Sequence, residues 1–245
     1  MLIIKPQIFC IYPEIVFGFS TKIGKARPLP YNFNLSFSVG DDESLVRENR
    51  ENYFKTLGLE TDHIAFQNQV HSDIVTCVKK GGNCGESDAM ITDRYNLGLA
   101  VVSADCTPIF IYDKLNKVIA AVHSGWRGTK KNILFKTLIE LIEHLGSNAE
   151  NLIVYIGASI CQKYYEVGRE VAELFNKKYL VLQNDRYLLN ISHANYDILV
   201  KFGVRKENIQ CSLLCTKELS NLLYSYRRDG KFSGRSLGVI AMRQI

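Results

Sequence analysis

The residues best suited to chemistry are one cysteine and two histidines, each near the predicted end of a strand. Cys106 lies in SADCTPIF, His123 in AVHSGWRG and His71 in QNQVHSDIV. A thiolate and two imidazoles are typical zinc ligands, and three protein ligands with one open position are the arrangement of catalytic zinc. Each residue alone also fits a structural role, since free cysteines are usually buried. The chain has neither a CxxC nor an HExxH motif, so spacing leaves both interpretations open.

Charged residues near these three indicate how such a site would be supported. Arg127 would either bind an anion or pair with Asp105, and we favour the pairing. Asp88, in ESDAMIT, and Asp105 are candidates to accept hydrogen bonds from histidine ligands, a contact that fixes which ring nitrogen faces a metal. Arg50 projects from a predicted helix, where a guanidinium is suited to bind phosphate, although a lone arginine there is also a common surface residue.

A predicted β-hairpin links Cys106 to His123. The segment IFIYDKLNKVIAAVH (109–123) contains two apolar strands joined by a polar turn. If Asp113 to Asn116 form the turn, Cys106 lies opposite His123 on one face of the hairpin. Directly opposed residues have Cβ atoms about 4.5–5.5 Å apart, which is within reach of one metal ion. A slip of one residue would place the two side chains on opposite faces.

The remaining pattern predicts a mixed α+β protein. Amphipathic periodicity predicts helices at 43–57 (after Asp42, a suitable N-cap), 129–146, 166–179 and 192–202. Apolar runs predict strands at 64–78, 97–105, 152–159, 208–214 and 237–243, besides the two of the hairpin. Consecutive strands between 97 and 123 favour antiparallel pairing in a sandwich over a strictly alternating doubly wound fold.

The composition argues against several classes of protein. Of the 245 residues, 47% are hydrophobic and 22% charged, as in ordinary globular proteins. The net charge of +5 is dispersed as basic pairs among acids, so we expect no nucleic-acid binding. The N-terminal segment lacks a basic region before its apolar residues, which Lys5, Pro6, Pro13 and Glu14 interrupt, so we expect no signal peptide and no membrane association. Seven cysteines without a signal peptide then predict a reduced, cytoplasmic location.

Six ordered motifs carry a resemblance to a known family. They are NQVHSDIV, SDAMIT, LAVVSADCTPIFIYD, VIAAVHSGWRGTKKNIL, IGASICQKYYEVG and CTKELSNLLYSYRRDGKFSGR. The chain resembles the laccase-domain family, once described as multicopper polyphenol oxidases and now as purine nucleoside phosphorylases similar to peptidoglycan editing factors. The resemblance covers nearly the whole chain. It implies a single domain over residues 1–245 with an α-β-β-α sandwich, similar to the deamidase domain of cytotoxic necrotizing toxins.

The resemblance also implies roles for individual residues. The family's metal ligands fall on His71, Cys106 and His123, which would then be catalytic. The arginine of the ENR motif falls on Arg50, implying a catalytic contact with phosphate or substrate. The family positions that line or support the pocket fall on Asn34, Asp105, Arg127 and Glu166.

The activity that the resemblance implies is that of a zinc-dependent purine nucleoside enzyme. It would cleave adenosine, inosine and S-methyl-5'-thioadenosine, with inorganic phosphate as co-substrate, to a free base and ribose 1-phosphate. It would also deaminate adenosine to inosine. We expect a monomer whose partners are purine nucleosides and phosphate. Cu²⁺ is an alternative metal, since copper outranks zinc in intrinsic affinity.

Three other functions stay open at this point. Cys106 as nucleophile with His123 as base would give a metal-free amidohydrolase or a peptidoglycan-precursor editing enzyme. A copper-dependent polyphenol oxidase is the second, although the five histidines are too few for the full copper set of a true laccase. The third is a binding or regulatory module with structural zinc, which would require a fourth protein ligand.

Overall fold

The computed structural model describes residues 1–25, 27 and 29–244. Its strands are, in chain order, β1 (Ile3–Ile4), β2 (Ile15–Ser20), β3 (Ile64–Asn68), β4 (Val75–Cys77), β5 (Gly82–Glu86), β6 (Ala89–Thr92), β7 (Gly98–Ser103), β8 (Thr107–Asp113), β9 (Val118–Ser124), β10 (Leu152–Ile156), β11 (Glu166–Val167), β12 (Leu180–Gln183), β13 (Arg186–Leu189), β14 (Ile209–Cys211) and β15 (Ser236–Met242). Its α-helices are α1 (Gln7–Cys10), α2 (Glu43–Thr56), α3 (Trp126–Lys130), α4 (Ile133–Leu145), α5 (Arg169–Ala172), α6 (Ile191–Phe202) and α7 (Tyr226–Asp229). Within these ranges no helix combines the length and the apolar composition needed to cross a membrane.

The strands form two large mixed sheets and one small sheet. The first sheet has the order β1-β2-β15-β7-β3-β5 and the second the order β14-β10-β8-β9-β6-β4. The small third sheet has the order β11-β13-β12. Apolar side chains of the two large sheets share one core, in which Phe17 of the first sheet packs against Phe110 and Tyr155 of the second.

Helices cover the outer faces of the two large sheets. Tyr53 and Phe54 of α2 pack with Ile64 and Val239 of the first sheet. Apolar residues of α4 and α6 pack on the second sheet in the same way. The layers therefore follow as helix, sheet, sheet, helix, which agrees with the predicted α+β sandwich. The expected likeness to a toxin deamidase domain stays a prediction.

Two predicted helices are confirmed, and capping explains their ends. Asp42 accepts hydrogen bonds from the backbone of Ser44 and Leu45 at the start of α2, and Gly58 follows the helix with a φ of 69°. A left-handed φ strongly favours glycine, so the helix ends there. Asn190 caps α6 by accepting from the backbone N–H of His193.

Three predicted elements are interrupted. The expected strand at 64–78 consists of β3 and β4 with a loop between them. The expected helix at 129–146 divides into α3 and α4, because Asn132 adopts a left-handed φ of 65°. The expected helix at 166–179 is wrong over most of its length, since β11 occupies its beginning and α5 is only four residues long.

The predicted register of the hairpin is wrong by two residues. In the antiparallel pair of β8 and β9, Asp113 lies opposite Val118 and Pro108 lies opposite His123. Cys106 precedes β8 and is therefore not opposite His123. The turn is longer than expected because Asp113 Oδ1 accepts hydrogen bonds from the backbone of the next residues in the loop. Because a slip of two residues preserves the face, the two side chains still approach each other.

Candidate metal centre

Three predicted ligands from three separate segments converge at one point. One donor atom each from His71, Cys106 and His123 lies within 4.8 Å of the other two. His71 Nε2 is 3.7 Å from Cys106 Sγ, and the centres of the two imidazole rings are 4.9 Å apart. The arrangement predicted from weak signals at strand ends is therefore present in the fold.

Cys106 lies where the chain crosses from one large sheet to the other. It sits between β7 of the first sheet and β8 of the second, directly after Asp105, whose φ is 98°. Such a backbone conformation costs a non-glycine residue about 1–3 kcal/mol and persists only where the surroundings enforce it. Here Ser103 Oγ donates to the carbonyl of Cys106 at 2.6 Å, and Ile160 N donates to the carbonyl of Asp105 at 2.9 Å.

His71 is held in the loop between β3 and β4 by a single carboxylate. Its own φ is 57°, again in the left-handed region. On either side of it, Asp88 Oδ2 accepts hydrogen bonds from Ser72 N at 2.5 Å, Ser72 Oγ at 2.7 Å and Val70 N at 3.3 Å. The strained loop is therefore fixed by a fully buried acceptor.

The same carboxylate orients the second histidine. Asp88 Oδ1 lies 2.7 Å from His123 Nδ1, so the imidazole donates from Nδ1 and its Nε2 is left for a ligand. This is the hydrogen bond that the sequence suggests for Asp88. One side chain thereby positions both histidines of the centre.

The electrostatics of the centre favour a charged pair in the metal-free protein. Burial opposes charge on Cys106, but the positive charge of His123 and hydrogen bonds from both histidines lower the pKa of the thiol to about 6. Burial also opposes charge on His123, and the negative charge of Cys106 with the hydrogen bond to Asp88 raises the pKa of the imidazole to about 9. Near neutral pH the pair is thus a thiolate facing an imidazolium.

The donor set and the space around it fit a zinc-class ion. A Cβ atom at Gly125 would lie 2.8 Å from Cys106 Sγ and 3.0 Å from His71 Cδ2, so the close approach of the backbone requires glycine. A thiolate and two imidazoles suit Zn²⁺, and copper accepts the same donors.

A large polar cavity adjoins this centre. Its volume is about 750 Å³, and its lining includes Trp126, Tyr165, Glu166 and Arg227. Tyr165 is buried, and burial together with the negative charge of Cys106 raises the pKa of its hydroxyl. The backbone N–H of Arg227, another residue of the cavity wall, donates at 2.6 Å to Asp105, the neighbour of Cys106, and this contact places the cavity near the metal centre.

Residues 16–243 match the model of the family described as multi-copper polyphenol oxidoreductase laccase. The chain belongs to this family.

The chain is similar to named proteins and to a protein of known structure. The chain is 30% identical to purine nucleoside phosphorylase YlmD of Bacillus subtilis, over 94% of this chain and 90% of that one. It is 31% identical to adenosine deaminase RL5 of an unknown prokaryotic organism, over 91% of this chain and 92% of the other. The crystal structure of the hypothetical protein YfiH from Bacillus licheniformis superposes with a TM-score of 0.91 at 27% identity, covering 95% of this chain and 94% of that one.

Asp105 has a different role from the two that the sequence predicts for it. Its Oδ1 accepts a hydrogen bond from Thr216 Oγ1, and its Oδ2 accepts one from Arg227 N, both at 2.6 Å. It therefore does not orient a histidine ligand. The predicted pairing with Arg127 is also wrong, because that guanidinium lies over the ring of Trp126 at 4.4 Å.

Arg50, the arginine of the family's ENR motif, lines a second cavity of about 520 Å³. Its guanidinium lies between the rings of Phe37 and Phe66, 4.3 and 4.2 Å from their centres, and its Nε donates to Leu35 O at 2.8 Å. Burial first, and then the charge of Arg47, lower the pKa of Arg50 to about 10, so the group stays charged at neutral pH.

Asn34 and Glu166 occupy contrasting positions. Asn34 is fully buried, and its amide donates to Ser36 O at 2.9 Å and accepts from Arg235 N at 3.0 Å, which is a supporting role. Glu166 lines the large cavity, where its carboxylate pairs with Arg186 at 2.9 Å.

Sequence reasoning assigned no role to three residues that shape this region. Tyr165 and Arg227 line the large cavity, with the guanidinium 5.5 Å from the centre of the ring. The pKa of Arg235 is lowered by burial, against the opposing effect of the negative charges of Asp105 and Cys106. These residues lie in the motifs YYEVG, YRRDG and SGR, which are the sequence feature that could have identified them.

Proposed function

We propose that the protein is a zinc-dependent purine nucleoside enzyme. It cleaves adenosine, inosine and S-methyl-5'-thioadenosine with inorganic phosphate, giving free base and ribose 1-phosphate, and deaminates adenosine to inosine. The observation that carries the proposal is the convergence of His71, Cys106 and His123 beside a cavity lined by aromatic and cationic side chains. The names of the relatives, purine nucleoside phosphorylase and adenosine deaminase, support the same substrate class.

The three ligands hold the zinc ion, which supplies Lewis-acid polarisation of a substrate atom when bound. Asp88 keeps the proton of His123 on Nδ1 and fixes the loop that carries His71. Since a carboxylate that orients a histidine ligand strengthens metal binding, Asp88 belongs to the working centre as a positioning residue.

Aromatic and charged side chains of the cavity bind the nucleoside. The half-buried Trp126 and the buried Tyr165 offer flat apolar surfaces suited to a purine ring. Arg127 beside Trp126 and Glu166 at the cavity wall contact polar groups of the substrate, while Asp105 and Asn34 hold the surrounding loops.

Arg50 binds the phosphate. Its Nε is engaged by a backbone carbonyl and its flat faces by two phenylalanines, so the guanidinium is held in one orientation. A fixed guanidinium suits the paired hydrogen bonds of phosphate oxygens. Gln69, which lines the same cavity, lies two residues before His71 along the chain.

The proposal also covers the domain organisation, location and partners of the protein. Residues 1–245 act as one domain, because both large sheets contribute to one core. The protein works as a cytoplasmic monomer on small molecules, without nucleic-acid or membrane partners. Its sandwich is distantly similar to the deamidase domain of cytotoxic necrotizing toxins, as the resemblance of the motifs implies.

A second candidate function rests on a specific contact. Cys106, His123 and Asp88 form a thiol–imidazole–carboxylate series, and a cysteine whose pKa is about 6 is an activated nucleophile. This arrangement is suited to a metal-free amidohydrolase or to a peptidoglycan-precursor editing enzyme. Copper binding alone would not support polyphenol oxidation, because copper binds tightly to most such donor sets.

The test compares zinc-loaded protein, chelator-treated protein and His71→Ala, each with adenosine in the presence and absence of phosphate. Products are separated by chromatography. We expect adenine with ribose 1-phosphate only when phosphate is present, and inosine in both conditions, both lost with chelator and in His71→Ala. Folded, zinc-loaded protein that leaves every nucleoside intact, with chelator-resistant hydrolysis of amide substrates, would favour the amidohydrolase instead.

A further inference from the structure

A second cluster of metal-ligand side chains lies apart from the first. One donor atom each from Cys161, Cys215 and Glu218 lies within 4.8 Å of the other two. None of these residues takes part in the function proposed above. Two thiols and a carboxylate are a donor set found in zinc sites.

The backbone brings the three donors together from two segments. Ser159, two residues before Cys161, pairs with Cys215 in a parallel bridge, and Thr216 N donates to Ser159 O at 3.1 Å. Leu219 N then donates to Cys215 O at 3.0 Å, closing one helix-like turn. Residues three apart in such a turn face the same side, which places Glu218 beside Cys215.

Hydrogen bonds prepare these donors for a cation. Cys161 N donates to Cys215 Sγ at 3.2 Å, so the backbone fixes this sulfur beside the Cys161 segment. The carboxylate of Glu218 is steadied through Oε1 by Tyr164 Oη at 3.5 Å and Lys163 Nζ at 3.7 Å. Both contacts are to Oε1, so Oε2 can turn towards the sulfur atoms.

The cluster is anchored on one side and open on the other. Cys215 is buried, with 3% of its surface exposed, Cys161 is half-buried and Glu218 is exposed. An ion can therefore enter from the solvent, and a water molecule can occupy the remaining coordination position.

We propose that Cys161, Cys215 and Glu218 form a second metal site, which binds a soft divalent cation of the zinc class. Thiolates select zinc and cadmium over magnesium and calcium, which prefer oxygen ligands. Two thiolates and a carboxylate around a divalent ion leave a net charge of −1. The ammonium group of Lys163, 3.7 Å from Glu218 Oε1, offsets part of that charge.

The position of this site implies a structural role. A bound ion ties the segment after β10 to the segment after β14. Both segments also hold Asp105, through Ile160 N at 2.9 Å and Thr216 Oγ1 at 2.6 Å. The second ion therefore stabilises the framework behind Cys106 without touching the substrate.

The test measures cadmium bound per chain by equilibrium dialysis, under a phosphine reductant that does not compete as a thiol. We expect two ions per wild-type chain and one per chain for either Cys106→Ala or Cys161→Ser. The double variant binds none. Cys211→Ser is the matched control, because Cys211 is a half-buried cysteine that lines a cavity with Cys161 but lies outside the cluster, and it binds two.

A second measurement distinguishes loss of the metal site from loss of the folded structure. Cobalt added to Cys106→Ala should give a thiolate charge-transfer band that disappears in the Cys106→Ala, Cys161→Ser double variant, while circular dichroism stays unchanged. One ion per wild-type chain that Cys161→Ser retains, or two ions in Cys161→Ser, would overturn the second site. Neither result bears on nucleoside turnover, so the two proposals fail separately.

Discussion

The two clusters contain chemically similar thiols in opposite electrostatic surroundings. Cys106 faces His123 and His71, and its pKa falls to about 6. Cys161 is subject to burial, to the neighbouring Cys215 and to the charge of Glu218, which raise its pKa to about 12. Burial raises the pKa in both places, so the difference arises from the neighbours: imidazoles at one site, a thiol and a carboxylate at the other.

This difference separates a reactive centre from a structural one. A thiolate present at neutral pH beside two oriented imidazoles is ready to bind metal or attack substrate. A thiol that stays protonated without a cation forms a ligand only when an ion displaces its proton. The first cluster also lies near the large cavity of about 750 Å³, whereas Cys161 of the second cluster lines a smaller cavity of about 360 Å³.

The largest expected effect is a difference in enzyme activity between variants of the first and of the second cluster. Cys106→Ala removes a ligand of the catalytic centre, and we expect kcat/KM for adenosine to fall about a thousandfold or more, equivalent to about 4 kcal/mol of transition-state stabilisation. Cys161→Ala, the matched substitution, should change it by less than about threefold. Steady-state kinetics of both zinc-loaded variants test this contrast, and equal losses would contradict it.

The thiols themselves should differ in reactivity. In metal-free protein at pH 7, Cys106 is mostly thiolate and Cys161 is almost entirely protonated, because the pH lies above one pKa and below the other. Allowing for the greater intrinsic nucleophilicity of the more basic thiolate, Cys106 should alkylate about a hundredfold faster. Peptide mass spectrometry after timed iodoacetamide treatment measures the two rates. The rate at Cys106 should decline only as the pH falls through about 6; faster labelling of Cys161 would refute the assignment.

Asp88→Asn tests whether one carboxylate organises the first centre. Loss of the charge weakens the hydrogen bonds to His123 and Ser72, and removal of such a partner typically lowers metal affinity about 10- to 100-fold. Zinc affinity should fall in that range by competition with a chromophoric chelator. Asp73→Asn, which removes a carboxylate paired with Lys136 on the surface, should leave it unchanged.

Arg50→Met should have the smallest effect and separate the two reactions. Loss of charge-assisted hydrogen bonds to phosphate is worth about 1.5–3 kcal/mol, so KM for phosphate should rise about tenfold or more while deamination of adenosine is unaffected. Arg47→Met is the control, because the Arg47 guanidinium also lies over the Phe37 ring, at 5.8 Å from its centre. An equal loss of both reactions in Arg50→Met would mean that Arg50 contacts the nucleoside or the fold.

Much of the first centre could be predicted from sequence, and the reasons are local. His71 follows β3, Cys106 directly precedes β8 and His123 lies at the end of β9, so all three stand near strand ends as the sequence pattern predicts. The hairpin register could not be predicted, because it depends on Asp113 accepting bonds within its own loop. The error of two residues in the register leaves Cys106 and His123 on the same face of the hairpin, because side chains alternate between faces along a strand.

Other parts of the site required the tertiary structure. The cavity beside Tyr165 is assembled from the third sheet, α5 and α7, which have no periodicity that relates them to Cys106. The second cluster joins Cys161 to Cys215 across more than fifty residues, through one bridge at Ser159 that no pattern in the sequence indicates. The helices at 43–57 and 192–202 were predictable because their N-cap residues, Asp42 and Asn190, lie directly beside them in the sequence.

The most direct test of the central claim is a zinc titration of adenosine turnover in Cys161→Ser, which retains only the first centre. Turnover should rise in proportion to added zinc and reach its maximum at one ion per chain. The same titration in Cys161→Ser with Cys106→Ala should give none. Turnover that is independent of zinc, or that survives loss of Cys106, would contradict the assignment of His71, Cys106 and His123 as a catalytic metal centre.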